Sequence, residues 1–494
     1  MDLSGLQGVL DTISSFIWGP FLLIPLLLGT GLYLTIRLGG LQFVRLGAAL
    51  RLGLFTRKDP GSDGDISQFQ ALTTALAATV GTGNIVGVAT AIGIGGPGAL
   101  FWMWVTGLLG MASKYSESFL GVRFRKTDEA GEKSGGPQYY LERGIKGPLG
   151  KLLALSFAVF AVIACFGIGN MTQGNAIAQN LEASFAVPTW TTGIVLTVFT
   201  IIVLIGGIKS IGRVTAGLVP VMIILYVLGA LYILIANVGA LPDAFAQIFS
   251  QAFTGTSAVG GFAGSVIIIA VQFGVARGIF SNESGMGSAA IAAAAAKTSH
   301  PVRQGLVSMT QTFIDTIIVV TCTGLVIIST GVWKAVDPET GEQLNAGLMT
   351  GEAFSTGLPG DWGHYIVTIG LVLFAGSTIL GWSYYGERNV ERLLGRRAVM
   401  PFRVIFSLVV FVGCTVQLSL VWAFSDIMNG LMALPNLIGL LMLSGLVARE
   451  TKKYLDNDPK LRASKAEVDR FMAGDPAYED WKTQAIPVIR TKKR

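Results

Sequence analysis

The chain alternates long apolar runs with short polar and basic ones. Eleven runs are long enough to cross a bilayer core, which takes about 20 apolar residues per helix: 16–36, 67–95, 98–122, 150–183, 189–207, 213–236, 262–296, 301–330, 362–395, 402–424 and 427–448. Several exceed one crossing, which predicts tilt, interruption or extension beyond the lipid. Two do not read as plain helix. Segment 2 opens with Ser67 and Gln70, an S-x-x-Q capping box. It is apolar to Val80, then reads Gly-Thr-Gly-Asn before "IVGVATAIGIGG" resumes. Asn84 is a good N-cap for a second half-helix. Segment 7 contains "SVIIIAVQFGVARGIFSNESGMGSAAIAAAAA". Its middle, 273–287, holds four glycines with Arg277, Asn282 and Glu283, and Asn282 is a candidate cap for another half-helix.

The polar loops alternate in charge. Arg37, Arg45, Arg51, Arg57 and Lys58 follow segment 1, and Arg123, Arg125, Lys126 and Lys133 follow segment 3. Lys209 and Arg213 follow segment 5, and Lys297 and Arg303 follow segment 7. Arg388, Arg392, Arg396 and Arg397 mark the end of segment 9, and Arg449, Lys452 and Lys453 follow segment 11. The intervening loops offer only Lys334. The positive-inside rule then puts the N-terminus outside and the C-terminus in the cytoplasm. A miscounted segment would scramble this alternation.

Segments 2 and 7 lie five apart, so they cross in opposite directions. Two glycine-interrupted spans at matched positions point to inverted repeats and a secondary transporter. The expected fold is an all-α polytopic membrane protein of about eleven transmembrane helices, a 5+5 inverted repeat plus one extra N-terminal helix. The expected divisions are an N-terminus, extra helix and cytoplasmic loop (1–66), a first repeat (67–236), an extracellular loop (237–261), a second repeat (262–448) and a solvated cytoplasmic tail (449–494).

Composition agrees. The 494 residues are 51% hydrophobic and 13% charged, against about 25% charged in soluble proteins. The 64 glycines suit close helix packing in lipid. The net charge of +6 reflects loop lysines and arginines, so it predicts no nucleic-acid partner. Cys165, Cys322 and Cys414 are scattered in apolar runs, and His300 and His364 are too few for a histidine-built zinc site. The N-terminus lacks the basic region of a cleavable signal. Trp102 and Trp104, near the outer end of segment 3, suit an aromatic belt. Gly93-x-Gly95-x-x-Gly98 fits the dinucleotide pattern, but it follows a membrane helix and contains Pro97, so it is set aside. No Walker loop, hydrolase triad or organic-cofactor motif is evident, and an enzyme is not expected.

The break in segment 2 has a use. Unwound backbone is tolerated at membrane depth only where protein or water satisfies it. N–H groups at a helix start attract a carboxylate, and carbonyls at a helix end suit a cation. The backbone at Thr82, Gly83 and Asn84, with the Thr82 hydroxyl, is therefore the candidate cradle for a substrate carboxylate. Asn170 and Gln173 in segment 4 are amides three apart, on one helix face; interhelical bonding is the competing role.

"GGPGALFWMWVTGLLG", at 95–110, resembles the signature of the alanine/glycine:cation symporters, the sodium:alanine symporters. "GTGNIVGVATAI" and "GIFSNESGMGSAA" resemble that family's two broken helices. The likeness spans about 16–449. It implies the leucine-transporter fold, sodium-coupled uptake of alanine or glycine, and a bacterial or archaeal plasma membrane. It also implies a ligand role for Gln173, and pocket walls at Trp382 in segment 9 and at Phe273 near the break of segment 7. Ser377 and Thr378 offer adjacent hydroxyls, although such residues often bond the carbonyl one turn back. By similarity to the wider fold, they join the carbonyls of Ala77, Val80 and Phe374 around sodium.

The charges Arg277, Glu283 and Asp315 fall at membrane depth, where each costs roughly 3 kcal/mol or more unpaired. Arg277 and Glu283 flank one break and suit a gate or a structural ion pair. Asp315 suits a partner for Arg277, a second cation site or a proton step. Proton-coupled transport and an ion channel remain the alternatives.

Overall fold

Apolar segments that must satisfy every backbone group without water fold as helices, and this chain is almost entirely helix. The computed structural model describes residues 4–485 apart from 57–58, 60–61, 255–262, 337–340, 342–343, 361 and 417–418. Among the described residues, strands are confined to a two-residue antiparallel pair, Lys126–Thr127 with Lys133–Ser134. Among the described residues, six helices are long and apolar enough to span: Pro148–Phe185, Gly207–Ala236, Pro301–Ser329, Trp362–Leu394, Arg396–Thr415 and Trp422–Asn457. A seventh span is a bent pair, Gln68–Thr79 and Gly83–Gly95, with a 53° break. Gly98–Arg123 runs through the centre and packs on Leu23–Arg37, Ala263–Asn282 and Pro301–Thr312.

The capping box forms as read. Ser67 Oγ accepts the Gln70 N–H at 3.1 Å, and Gln70 Oε1 accepts the Ser67 N–H at 3.0 Å. Other expectations are corrected. Segment 1 begins at Leu23, not 16, because the chain turns after Ile17 at Gly19 and Pro20, and a separate helix, Ser4–Ile17, precedes it. Proline removes a donor and disfavours helix at the residue before it. Segment 7 stays helical through 273–282, and its interruption is confined to 283–288. Segment 10 ends at Thr415, and the last helix, Ser419–Asn457, carries the charged residues 449–457 beyond the apolar run.

Segments read as loops and tail also hold structure. Residues 237–261 include the helix Leu241–Thr254, and 331–361 include Ala346–Gly357. Trp102 donates to the Ala252 carbonyl at 3.1 Å, and Trp104 to Thr321 Oγ1 at 2.9 Å. These tryptophans thus pin neighbouring helices. The tail is docked as far as residue 485, not a free solvated extension. It forms Lys465–Met472 and Pro476–Ala485. Trp481 donates to the Val122 carbonyl at 3.2 Å, and Tyr478 stacks near His300, ring centres 5.8 Å apart.

Candidate substrate and cation site

The break in the second segment is built by two glycines and two amides. Gln68–Thr79 ends at Val80, and a wide helical turn, Gly83–Gly87, starts the outgoing half. Asn84 lies inside that turn, so it is not the N-cap. Its Oδ1 instead accepts the Gly81 N–H at 2.9 Å. The Thr82 N–H donates to Gln173 Oε1 at 3.2 Å. The buried Thr82 hydroxyl has no hydrogen-bond partner among the described residues, in a setting where buried polar groups are nearly always paired. Side chains at Gly81 and Gly83 do not fit. A Cβ at Gly81 would lie 2.4 Å from Thr378 Oγ1, and one at Gly83 would lie 2.9 Å from Ser281 Cα and 3.1 Å from Phe280 Cδ1. Thr82, Asn84, Gln173, Ser281, Asp315, Ser377 and Thr378 are each at most 2% exposed, so this centre is closed to solvent.

The two amides of segment 4 separate. A wide turn, Gly167–Met171, interrupts the regular helix between them and shifts the register. Gln173 meets the cradle, with its Nε2 fixed on the Ile168 carbonyl at 2.9 Å. Asn170 donates to the Phe406 carbonyl at 2.7 Å instead, an interhelical tie away from the cradle.

Beside the cradle five neutral oxygens converge. Thr378 Oγ1 lies 2.9 Å from the Ala77 carbonyl, 3.5 Å from Val80 and 3.1 Å from Phe374. Ser377 Oγ lies 2.8 Å from the Phe374 carbonyl and 3.4 Å from Ala77. The Ala77 and Val80 carbonyls come from the unwinding end of the inbound half-helix. All five expected oxygens are thus brought together, a donor set suited to a hard monovalent cation.

The seventh segment breaks differently from expectation. Asn282 ends the first half, and its Oδ1 accepts the Ser284 N–H at 2.9 Å, so it does not cap the second. Glu283 has φ +56°, a left-handed conformation uncommon for a side-chain-bearing residue. Side chains from two other helices satisfy the unwound backbone. Lys114 Nζ donates to the Glu283 carbonyl at 3.1 Å, Glu117 Oε2 accepts the Gly287 N–H at 3.0 Å, and Asn436 Nδ2 donates to the Gly285 carbonyl at 2.7 Å. The Glu283 carboxylate takes the Ser288 hydroxyl at 2.5 Å.

Arg277 pairs neither with Glu283 nor with Asp315. Its partner is Asp426, at 3.1 Å, which the sequence reading did not single out. Asp315 instead accepts from Asn84 Nδ2 at 2.7 Å, and from Ser281 and Thr316 hydroxyls at 2.9 Å each. From Pro301–Ser329 it thus ties the first break to Ser281, at the end of Ala263–Asn282. Phe273 lies one helical stretch above the break. It lines a cavity of about 340 Å³ with Arg277, Trp422 and Asp426, on the face opposite the basic loops. Phe280 is the aromatic at the cradle, stacked on Trp422 with centroids 5.7 Å apart. Its position two turns after Phe273 on one face was the available signal. Trp382 is buried against segment 4, where a Cβ on Gly169 would lie 2.2 Å from its Cβ.

On the basic face two arginines organise polar networks. Arg388 bridges Asp128, Glu132, Glu387 and Glu391 at 2.7–3.1 Å. Arg125 holds the Ala294, Ala296 and Asp63 carbonyls at 2.8–3.0 Å.

The family model of the sodium:alanine symporters matches residues 3–468, through both breaks and the oxygen cluster. The chain belongs to the sodium:alanine symporter family. A member of the family named sodium/alanine symporter AgcS, from Methanococcus maripaludis, is 52% identical over 90% of this chain and 97% of its own length. The amino-acid carrier protein AlsT of Bacillus subtilis is 36% identical, covering 91% of this chain and 92% of its own. Among solved structures, MhsT in complex with L-phenylalanine matches with a TM-score of 0.56 at 16% identity, over 86% of this chain and all of that one. That likeness shows the leucine-transporter type of fold. This family member is a membrane-embedded amino-acid symporter and not an enzyme.

Proposed function

We propose that the chain carries alanine or glycine into the cell with sodium, by alternating access. The observation that carries the reading is the buried, partnerless Thr82 hydroxyl at a glycine-flanked helix break, beside five converging neutral oxygens. The substrate carboxylate rests on the Thr82 hydroxyl and the unwound backbone of 82–84, beside Gln173, which orders that backbone by taking the Thr82 N–H. Phe280 and Trp382 wall the space and limit the side chain to a hydrogen or a methyl. Sodium takes the Ala77, Val80 and Phe374 carbonyls with the Ser377 and Thr378 hydroxyls. Because the Gly81 peptide joins the Val80 carbonyl to the cradle, the two sites share one stretch of backbone and occupancy of one orders the other.

In this reading eleven spans form two inverted five-helix repeats after an added first helix. The N-terminus is outside, and the basic face is cytoplasmic. The Arg277–Asp426 pair and the Phe280–Trp422 stack then close the outer path, and the Arg388 and Arg125 networks close the inner one. Sodium is the coupling ion, and no organic cofactor takes part. A second reading rests on Asp315, whose hydrogen-bond partners among the described residues, Asn84, Ser281 and Thr316, are all neutral. A buried carboxylate of that kind is a place for a proton, and proton coupling would use it.

Uptake of labelled alanine into proteoliposomes tests both. An inward sodium gradient at equal pH drives uptake in the first reading. Uptake that follows only a pH gradient supports the second and removes the first.

A further inference from the structure

On the basic face a cavity of about 780 Å³ opens between the end of Leu23–Arg37 and the last helix, Ser419–Asn457. Arg37, Arg45, Arg449 and Lys452 line it, against one carboxylate, Asp456. Several arginines on this face are neutralised. Arg123, Arg303, Arg388, Arg396 and Arg403 all sit in ion pairs. Among the described residues, Arg37, Arg449 and Lys452 form none, and Arg45 bonds only the Pro459 carbonyl, at 2.6 Å. Gly445 leaves room for the Arg37 guanidinium, which lies 3.6 Å from where a Cβ would stand.

Exposed apolar side chains flank the cavity. Val44, in its lining, is 72% exposed, and Ile36 (72%) and Met442 (52%) stand beside the lining residues Arg37 and Gly445 in sequence. Between Trp422 and Arg449 the helix rises about 40 Å at 1.5 Å per residue, roughly a bilayer with its headgroups. The unpaired charges therefore sit at headgroup depth, with hydrocarbon-facing side chains directly beside them. Concentrated positive charge in a groove between spans, open to lipid along one edge, suits a phosphate that carries acyl chains. A soluble anion would use the charges and leave the apolar rim without a partner.

We propose that this groove is a binding site for an anionic phospholipid, such as phosphatidylglycerol. Its phosphate lies among Arg37, Arg45, Arg449 and Lys452, and its chains run along Ile36, Val44 and Met442. The lipid comes from the cytoplasmic leaflet if the proposed orientation holds, while the site itself requires no particular transported substrate. It ties the added first helix to the last.

Native mass spectrometry of the delipidated full chain, titrated with defined lipids, tests this. The first phosphatidylglycerol is expected to bind at least about tenfold more tightly than phosphatidylcholine. The triple variant Arg37→Gln, Arg449→Gln, Lys452→Gln should lose that preference. A control that removes as much charge from exposed positions on the same face, Lys209→Gln, Arg213→Gln, Arg397→Gln, should keep it. Equal affinity of the unaltered chain for both lipids overturns the proposal without use of any variant. Equal loss in the control assigns the effect to general surface charge, and displacement of the lipid by millimolar inorganic phosphate assigns the site to a free anion. Either result also overturns it. Sodium-independent transport would leave this readout unchanged, so the two proposals fail separately.

Discussion

Replacing Gly81 with alanine bears hardest on the cation site, with a lesser contact on the cradle, 3.1 Å from Gln173 Oε1. The new Cβ would stand 2.4 Å from Thr378 Oγ1, where ordinary contact begins at 3.4 Å, so a shift of about 1 Å is forced. Thr378 is held at 2.9 Å from the Ala77 carbonyl and 3.1 Å from Phe374, and the Gly81 backbone is held by Asn84. Neither side yields without breaking the oxygen cluster. Overpacking of this size costs about 1–3 kcal/mol, which corresponds to roughly a 5- to 150-fold rise in the sodium concentration for half-maximal uptake. Gly83→Ala makes the matching contrast. Its Cβ meets Ser281 and Phe280, so alanine KM should rise with a smaller change in sodium dependence. The assay is alanine uptake in proteoliposomes over a sodium series, with a thermal melt of each purified variant. A folded Gly81→Ala protein with unaltered sodium activation would refute the assignment of those five oxygens.

Gln173→Ala leaves the Thr82 N–H without its acceptor, and loss of a buried partner costs about 1–3 kcal/mol; alanine binding by equilibrium dialysis should weaken by roughly 5- to 150-fold. Asn170→Ala removes only the tie to Phe406, so it should lower the melting temperature and leave alanine affinity in place, which the same two measurements check. Arg277→Gln removes the pair with Asp426 and should speed external maleimide labelling of a cysteine placed at Phe273, against a background in which Cys165, Cys322 and Cys414 are buried. Burial, assisted by the Arg123 guanidinium, pushes the His300 imidazole from its ordinary 6.5 down to about 3. The native state therefore disfavours the proton, its contribution is full above pH 6.5 and is lost as pH falls toward 3. Melting curves should show a fall between pH 7 and pH 5 that is shallower in His300→Asn.

The all-helical, apolar character and the break at 81–84 were legible because long apolar runs and glycine clusters are local signals. The five oxygens around Thr378 were legible only with resemblance, since carbonyls carry no mark in a sequence. The register of Asn170 was not, because the wide turn at Gly167–Met171 rotates it away from Gln173. The break at Glu283 was placed too early, as glycines 274 and 278 serve close packing instead: a Cβ there would meet the Ala99 carbonyl at 2.5 Å and Thr106 Oγ1 at 2.4 Å. Asp426 stayed hidden because its partnership with Arg277 joins residues 149 positions apart. The tail looked solvated because its few aromatic anchors, Tyr478 and Trp481, are set among charges.

The central claim is that an amino acid and sodium share the backbone at 80–84. The direct measurement is binding of labelled alanine to the purified chain at fixed pH, with sodium varied and replaced by potassium or choline. Affinity should rise steeply with sodium alone, and Thr378→Val should abolish that rise while leaving a weak, sodium-independent binding. Alanine affinity that is equal in sodium, potassium and choline would contradict the account.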